Sequence, residues 1–186
     1  MATTRVPIED ATLIRGVLTR VARELATMIG HELALEPPAV ERALARPAGK
    51  GAVHISFKLA LEREGGSKRF GALLVPLADA ITLASYLLMT PEDALARRRA
   101  ATRLDPALKD AMLELGSLIA SAGQTALAEI GAAGWSMSAE GCQGVRADVR
   151  PAFPYSEGSA LAVGRARARL EPFEPFELLL ILPALD

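Results

Sequence analysis

Between Asp105 and Ile130 the sequence places Asp110, Glu114, Ser117 and Ser121 at i, i+4, i+7 and i+11. On a helix of 3.6 residues per turn these four share one stripe, while Leu108, Met112, Leu115, Ile119 and Ala122 point another way. Two carboxylates and two hydroxyls in a row can ion-pair a partner's cation and accept hydrogen bonds from a water. Two readings of the stripe stand: the solvated side of an ordinary amphipathic helix, or a face that docks a partner and does chemistry. The chain contains no asparagine, so a carboxamide in any such chemistry must be Gln124 or Gln143.

Other reactive side chains are scattered. His54 falls on the polar side of an alternating run and His31 follows a helix-ending Gly30. Neither has a Cys or a second His at ligand spacing, which argues against a metal site. The single cysteine, Cys142, has no paired histidine in sequence and reads as a buried or loop thiol. Arg97, Arg98 and Arg99 follow a short helical segment and suit its C-terminal end, where the helix dipole favours cations. Arg165, Arg167 and Arg169 alternate along an extended run as a basic stripe, either solvated or open to an acidic partner.

The stripe needs a scaffold, and the periodicities supply one. Leu13, Val17, Val21, Leu25 and Ile29 recur at helical spacing from Ile8 to Gly30, and Asp105-Pro106 opens a second long helix that runs to about Ile130. Leu33 and Leu35 form a short strand that stops at Pro37-Pro38, and 39–52 is ambiguous. Val53, Ile55, Phe57, Leu59 and Leu61 alternate with His54, Ser56, Lys58, Ala60 and Glu62, predicting a strand with one core face and one wet face. Glu64 to Ser67 turns the chain into a returning strand, Phe70 to Val75, and Pro76 opens a helix through Leu88. Beyond Gly134 the texture is β: Trp135 and Met137, Val145 to Val149, Leu161 to Leu170 and Phe176 to Leu182. Helix, strands, helices, strands, without βαβ alternation, predict a single α+β domain over 1–186, its antiparallel sheet covered by two long helices and a shorter one. A shift of 102 residues lays the second long helix and the Trp135 strand on the first helix and the Leu33 strand, a weak internal duplication. The Phe176–Leu182 run is apolar on both faces, an aggregation-prone stretch at a sheet edge.

Composition bounds the function. At 186 residues, 51% hydrophobic and 23% charged, the chain has core enough for one domain and no room for two full ones. A net charge of -1 supplies no general field for nucleic acid or anionic lipid. Neither the start, MATTRVPIED, nor any later stretch reads as a signal peptide or membrane span, so a cytoplasmic protein is expected, without membrane insertion or a nucleic-acid partner.

At the Asp110 stripe the sequence resembles the CheC/CheX/FliY group of chemotaxis phosphatases. That group's motif is Asp or Ser, three residues, Glu, two residues, Asn, then twenty-one residues and Pro. Asp110 and Glu114 take its first two positions, Ser117 stands at the Asn and Ala139 at the Pro. In the first half the same count gives Ile8, Thr12, Arg15 and Pro37, of which only the proline matches. The order of long helix, hairpin, short helix, motif helix and closing strands also looks like a CheX-type layout from about residue 8 to 183. The resemblance implies a partner, a phosphorylated CheY-type response regulator, reached through Asp110, Glu114 and Ser121. It assigns Glu114 an ion pair with the receiver's lysine, and the motif Asn the positioning of a water that attacks the aspartyl phosphate. No cofactor of its own is implied, since Mg²⁺ would be carried by the receiver. The resemblance also suggests sheet edges that pair between subunits, which would cover the Phe176–Leu182 run in a homodimer. Catalytic roles fall on Glu114 and Ser117. A serine hydroxyl sits nearer the backbone and lacks the planar donor-acceptor end of a carboxamide, so weak or absent phosphatase activity is expected. Two non-catalytic alternatives stand beside it: a silent receiver-binding module, and a relative of flagellar switch components.

Overall fold

A computed structural model describes residues 8–186; residues 1–7, on which part of the signal-peptide reading rests, lie outside it. The elements are α1 (Asp10–Ile29), β1 (Ala34–Leu35), β2 (Ala39–Ala43), β3 (His54–Arg63), β4 (Arg69–Pro76), α2 (Leu77–Leu87), α3 (Glu92–Arg99), α4 (Pro106–Glu129), β5 (Trp135–Val145), β6 (Leu161–Arg169) and β7 (Phe176–Pro183). All strand pairs are antiparallel, in the order β1-β6-β7-β4-β3-β5, with β2 continuing β1 along β6. This is the α+β architecture the segment order predicts.

The duplication is real in three dimensions. Moving the β3–β4 pairing forward by 107 residues reproduces the β6–β7 register: His54↔Pro76 becomes Leu161↔Pro183. Where the two hairpins meet, Leu73 pairs with Leu180, its own counterpart, so a pseudo-twofold axis passes between β4 and β7. The flanking parts follow the shift of 102, which carries β1 and β2 onto β5. Even the interruption at Pro37-Pro38 has its equivalent, a bulge in β5 between Cys142 and Ala139 where Gly141 takes φ 90°.

The two long helices lie together over one face of the sheet, with Arg20 of α1 ion-paired to Glu129 of α4 at 3.0 Å. Ile55, Phe57, Leu59 and Leu61 are buried beneath them, together with Leu13, Ile14, Leu115 and Ile119. Close approach is bought with glycines placed oppositely in the two halves. In one, Gly116 of α4 sits over Phe57; in the other, Ile14 of α1 fills the space left by Gly164 of β6. Gly116 is the counterpart of Ile14 and Gly164 that of Phe57, so large and small have changed sides.

Four expectations need correction. Val53 lies before β3 and is 42% exposed, outside the core. The supposedly wet face of β3 is largely dry: His54, Ser56 and Ala60 are buried. The far face carries its own apolar layer, Ala72, Leu74, Leu161, Val163, Leu179 and Ile181, and the segment between β5 and β6 folds over it with Phe153 and Tyr155. Arg46 pins that segment by donating to the carbonyls of Pro151 and Phe153, both at 3.0 Å. For the same reason β7 is no edge. It lies between β4 and β6 and is covered on both faces, which accounts for its apolarity without a second copy and removes the argument for a homodimer. Finally, the strand expected at Val145–Val149 ends at Val145, where a turn at Arg146 begins and Asp148 takes φ 59°.

Candidate functional site

α4 begins where Asp105 caps it, its Oδ1 accepting from the Leu108 backbone N–H at 2.8 Å, with Pro106 at the first helical position. Its inner face, Leu108, Ala111, Met112, Leu115, Gly116, Ile119, Ala122 and Gly123, is buried. Asp110, Glu114, Ser117 and Ser121 therefore emerge together on the outer face, all exposed. Neither carboxylate has a salt bridge among the described residues. The stripe contains one further residue that polar patterning missed: Leu113, 52% exposed, between Asp110 and Glu114. Its signal was an apolar residue off the helix's core period.

The hydroxyl and carboxamide chemistry around the stripe is constrained. Ser117 Oγ donates back to the Leu113 carbonyl at 3.2 Å, leaving only its lone pairs to an external water. Gln124 is not available: its Oε1 accepts from the Met137 backbone N–H at 2.7 Å, and its Nε2 reaches the Trp135 carbonyl at 3.5 Å. That carboxamide fastens the start of β5 to α4. Gln143 is exposed on β5, in the sheet rather than on the stripe.

The remaining candidates are structural. His54, read as a surface residue, is 3% exposed, with Nδ1 2.8 Å from the Ala52 carbonyl and its ring against Gly49. His31 is half-buried and stacks on Tyr86 with ring centroids 3.9 Å apart. Cys142 is half-buried, and burial pushes its thiol up from the ordinary range. No cluster of metal-ligating side chains forms among the described residues. Of the arginines on β6, Arg165 is held by Glu177 at 2.6 Å and donates to the Ala48 carbonyl, and Arg169 lies 3.8 Å from Glu171. Arg165 is thus paired within the chain, while Arg167 and Arg169 remain exposed. Arg97, Arg98 and Arg99 form the last turn of α3 itself, and Arg99 turns inward to Asp79.

No protein-family model matches the sequence, and no curated protein does. Solved structures do match. FliY from Thermotoga maritima aligns at TM-score 0.68 over 98% of this chain and 93% of its own, with 14% identity. A chain of the FliG–FliM complex from H. pylori aligns at 0.66, covering 97% and 96%, with 7% identity. The chemotaxis protein CheX from Desulfovibrio desulfuricans aligns at 0.59, covering 91% and 98%, with 15% identity. The fold is that of the CheC, CheX and FliY proteins. Within the CheC/CheX/FliY fold, the four stripe residues occupy the second of two pseudo-equivalent helices. Ala139, at the motif's Pro position, sits at the β5 bulge, and its counterpart Pro37 at the break between β1 and β2. On the first helix Thr12 and Arg15 are exposed like their counterparts but carry no acid. No helix of the described residues is long and apolar enough to cross a membrane.

Proposed function

We propose that this chain is a cytoplasmic chemotaxis-type signalling protein that docks a phosphorylated CheY-type receiver on the outer face of α4, with little or no hydrolysis of its aspartyl phosphate. The observation that supports this reading is the state of the stripe: Asp110 and Glu114 are exposed without ion pairs among the described residues, around the exposed apolar Leu113. Charged groups flanking an apolar anchor suit a protein interface. Glu114 pairs the receiver's active-site lysine, and Asp110, Leu113 and Ser121 complete the contact. The receiver brings the Mg²⁺ and the activated acyl phosphate, so only a positioned water is left for this chain to contribute. Ser117 holds that water weakly, because its proton is given to the Leu113 carbonyl and the nearby Gln124 carboxamide is committed to β5.

The test separates docking from hydrolysis. Glu114→Ala is expected to weaken binding to an acetyl-phosphate-loaded receiver, while Ser117→Asn raises phosphate release about tenfold or more, equivalent to about 1.4 kcal/mol of transition-state positioning. A fast native protein unaffected by Ser117→Asn would show that serine suffices. A second reading, a flagellar-switch-type interaction module, is supported by the alignment with a chain of the FliG–FliM complex, at a higher TM-score than with CheX. Absence of binding to any phosphoreceiver, with Glu114→Ala indistinguishable from native, would put that reading first.

A further inference from the structure

Two stretches without helix or strand cross the far face of the sheet, 44–53 from β2 to β3 and 146–160 from β5 to β6, and each contains Arg-Pro-Ala, at 46–48 and 150–152. Arg46 is engaged inside the fold. Besides the Pro151 and Phe153 carbonyls, its guanidinium lies over the Phe153 and Tyr155 rings at 5.6 and 5.8 Å. Arg150, at the same place in the second Arg-Pro-Ala, is exposed and has no salt bridge among the described residues. Other cations gather near it. The Gly49 carbonyl accepts the Asp148 backbone N–H at 2.9 Å, which brings Lys50 beside the turn from Arg146 to Val149. Lys50 and Arg146 are likewise exposed and outside any salt bridge among the described residues. Arg165, Leu179, Leu74, Ser56 and Gln143 form one register row across the sheet. The exposed Arg167, two residues on from Arg165 and on the same face, therefore stands at the end of the sheet where β5 gives way to Arg146, four strand spacings or roughly 19 Å away. Within 44–53 and 146–153 Asp148 is the only acid, and nearby Glu177 is taken by Arg165. Val53 and Val149, each 42% exposed, add apolar surface at this end.

We propose that this end of the far face docks an acidic segment of a partner protein, one that mixes carboxylates with aliphatic side chains. Charge complementarity defines the occupant. In the two crossing stretches three cations outside any salt bridge face one acid, Arg167 adds a fourth, and the whole chain carries a net charge of -1, so the patch has a field opposite in sign to that of the molecule. Arg146, Arg150 and Arg167 present planar forks that take carboxylates bidentately. Val53 and Val149 give the segment's aliphatic groups a surface to cover. Other polyanions fit less well. Phe153 is buried and Tyr155 half-buried, so neither ring is free to stack on nucleic-acid bases. Valine side chains are too short to anchor among acyl chains, and Asp148, exposed beside Val149, would be repelled by a uniformly anionic bilayer. The patch lies on the opposite side of the sheet from α4, so a receiver docked on that helix leaves it open.

The probe is a fluorescein-labelled peptide of glutamate and leucine, with a glutamine and leucine peptide as its neutral control, each titrated with the full chain and followed by fluorescence anisotropy. Saturable binding of the acidic peptide alone is expected. Combining Arg146→Glu with Arg150→Glu should weaken it about tenfold or more, since each change puts a carboxylate opposite a carboxylate. The comparison variant combines Arg15→Glu with Arg23→Glu on α1, which alters the net charge equally at exposed positions across the sheet and should bind the peptide as the native chain does. All four side chains are exposed and outside any salt bridge among the described residues, so both variants should keep the native unfolding midpoint. No saturable binding, equal binding of the neutral peptide, or an equal loss in the two variants overturns the proposal. Vesicles of phosphatidylcholine and phosphatidylserine are tested in parallel. If the native chain binds them through Arg146 and Arg150 and ignores the acidic peptide, the patch serves a lipid surface and the proposal falls equally.

Discussion

The Arg99 guanidinium serves several partners at once: it donates to the Asp79 carboxylate and the Ala78 carbonyl, each at 3.2 Å, contacts the Thr82 hydroxyl, and lies 4.1 Å over the Phe173 ring. Burial raises the Asp79 carboxyl above its ordinary value, against the pull of Arg99 and His54. A carboxyl raised in the folded state binds its proton more tightly there than in the unfolded chain. Its contribution is therefore most favourable below the unfolded value and is lost as pH rises towards the folded one. Removing Arg99 widens that gap. Arg99→Met should cost about 3 kcal/mol at pH 7, where a buried carboxylate is left unpaired, and distinctly less at pH 4, where Asp79 takes up a proton. Urea unfolding at the two pH values checks this; equal losses would mean that the charge is not what Arg99 compensates. Gln124 makes a similar point without charge. Gln124→Leu strips the Met137 N–H of its acceptor and should cost about 1–2 kcal/mol by thermal unfolding, while receiver binding at the stripe stays native, since that carboxamide never reaches it.

Among the elements, α1 and α4 solve one packing problem in opposite ways. α4 presents Gly116 to Phe57, and α1 presents Ile14 to Gly164. A methyl group at Gly164 would meet Ile14, so Gly164→Ala should destabilise by about 1–3 kcal/mol through overpacking. Ile14→Ala alone should cost about 2–5 kcal/mol through the cavity it opens. The two substitutions touch the same space, and the double variant should be less destabilised than the sum of the singles, by more than about 0.5 kcal/mol. Chemical denaturation of the four-member cycle decides it, additivity being the outcome that would separate these residues. The element-scale consequence for the site is rigidity: the stripe stands on a 24-residue helix locked from beneath by Phe57 and tied to β5 by Gln124.

For the whole molecule, the pseudo-twofold axis puts both hairpins at the centre of the sheet and the singly paired strands at its rims. β7 and β4 form the seam, with Leu73 opposite Leu180, while β5 is paired on one side only. Hydrogen exchange should rank them accordingly. The Leu179–Ile181 amides are expected to exchange only through global unfolding, and Ser138–Gln143, in the bulged outer strand, by smaller openings. Comparable protection of both would imply that the β5 edge is covered by something in solution.

Helix periodicity, the cap at Asp105 and the alternation in β3 are local signals, and they placed both long helices, the hairpin and the polar stripe from the sequence alone. The stripe was legible because a helix fixes side-chain direction from spacing, without help from the rest of the fold. Burial of the far sheet face was not. His54 looks solvated until its ring is seen against Gly49, and Leu74 and Leu179 gain their far-face cover only from the Phe153 segment, which lies many positions away in the chain. The position of β7 was hidden in the same way: an apolar run on both faces suits an inner strand as well as an edge paired to a second copy, and only the order β6-β7-β4 chooses. The commitment of Gln124 likewise belongs to the tertiary structure, since it depends on where α4 and the start of β5 are brought together.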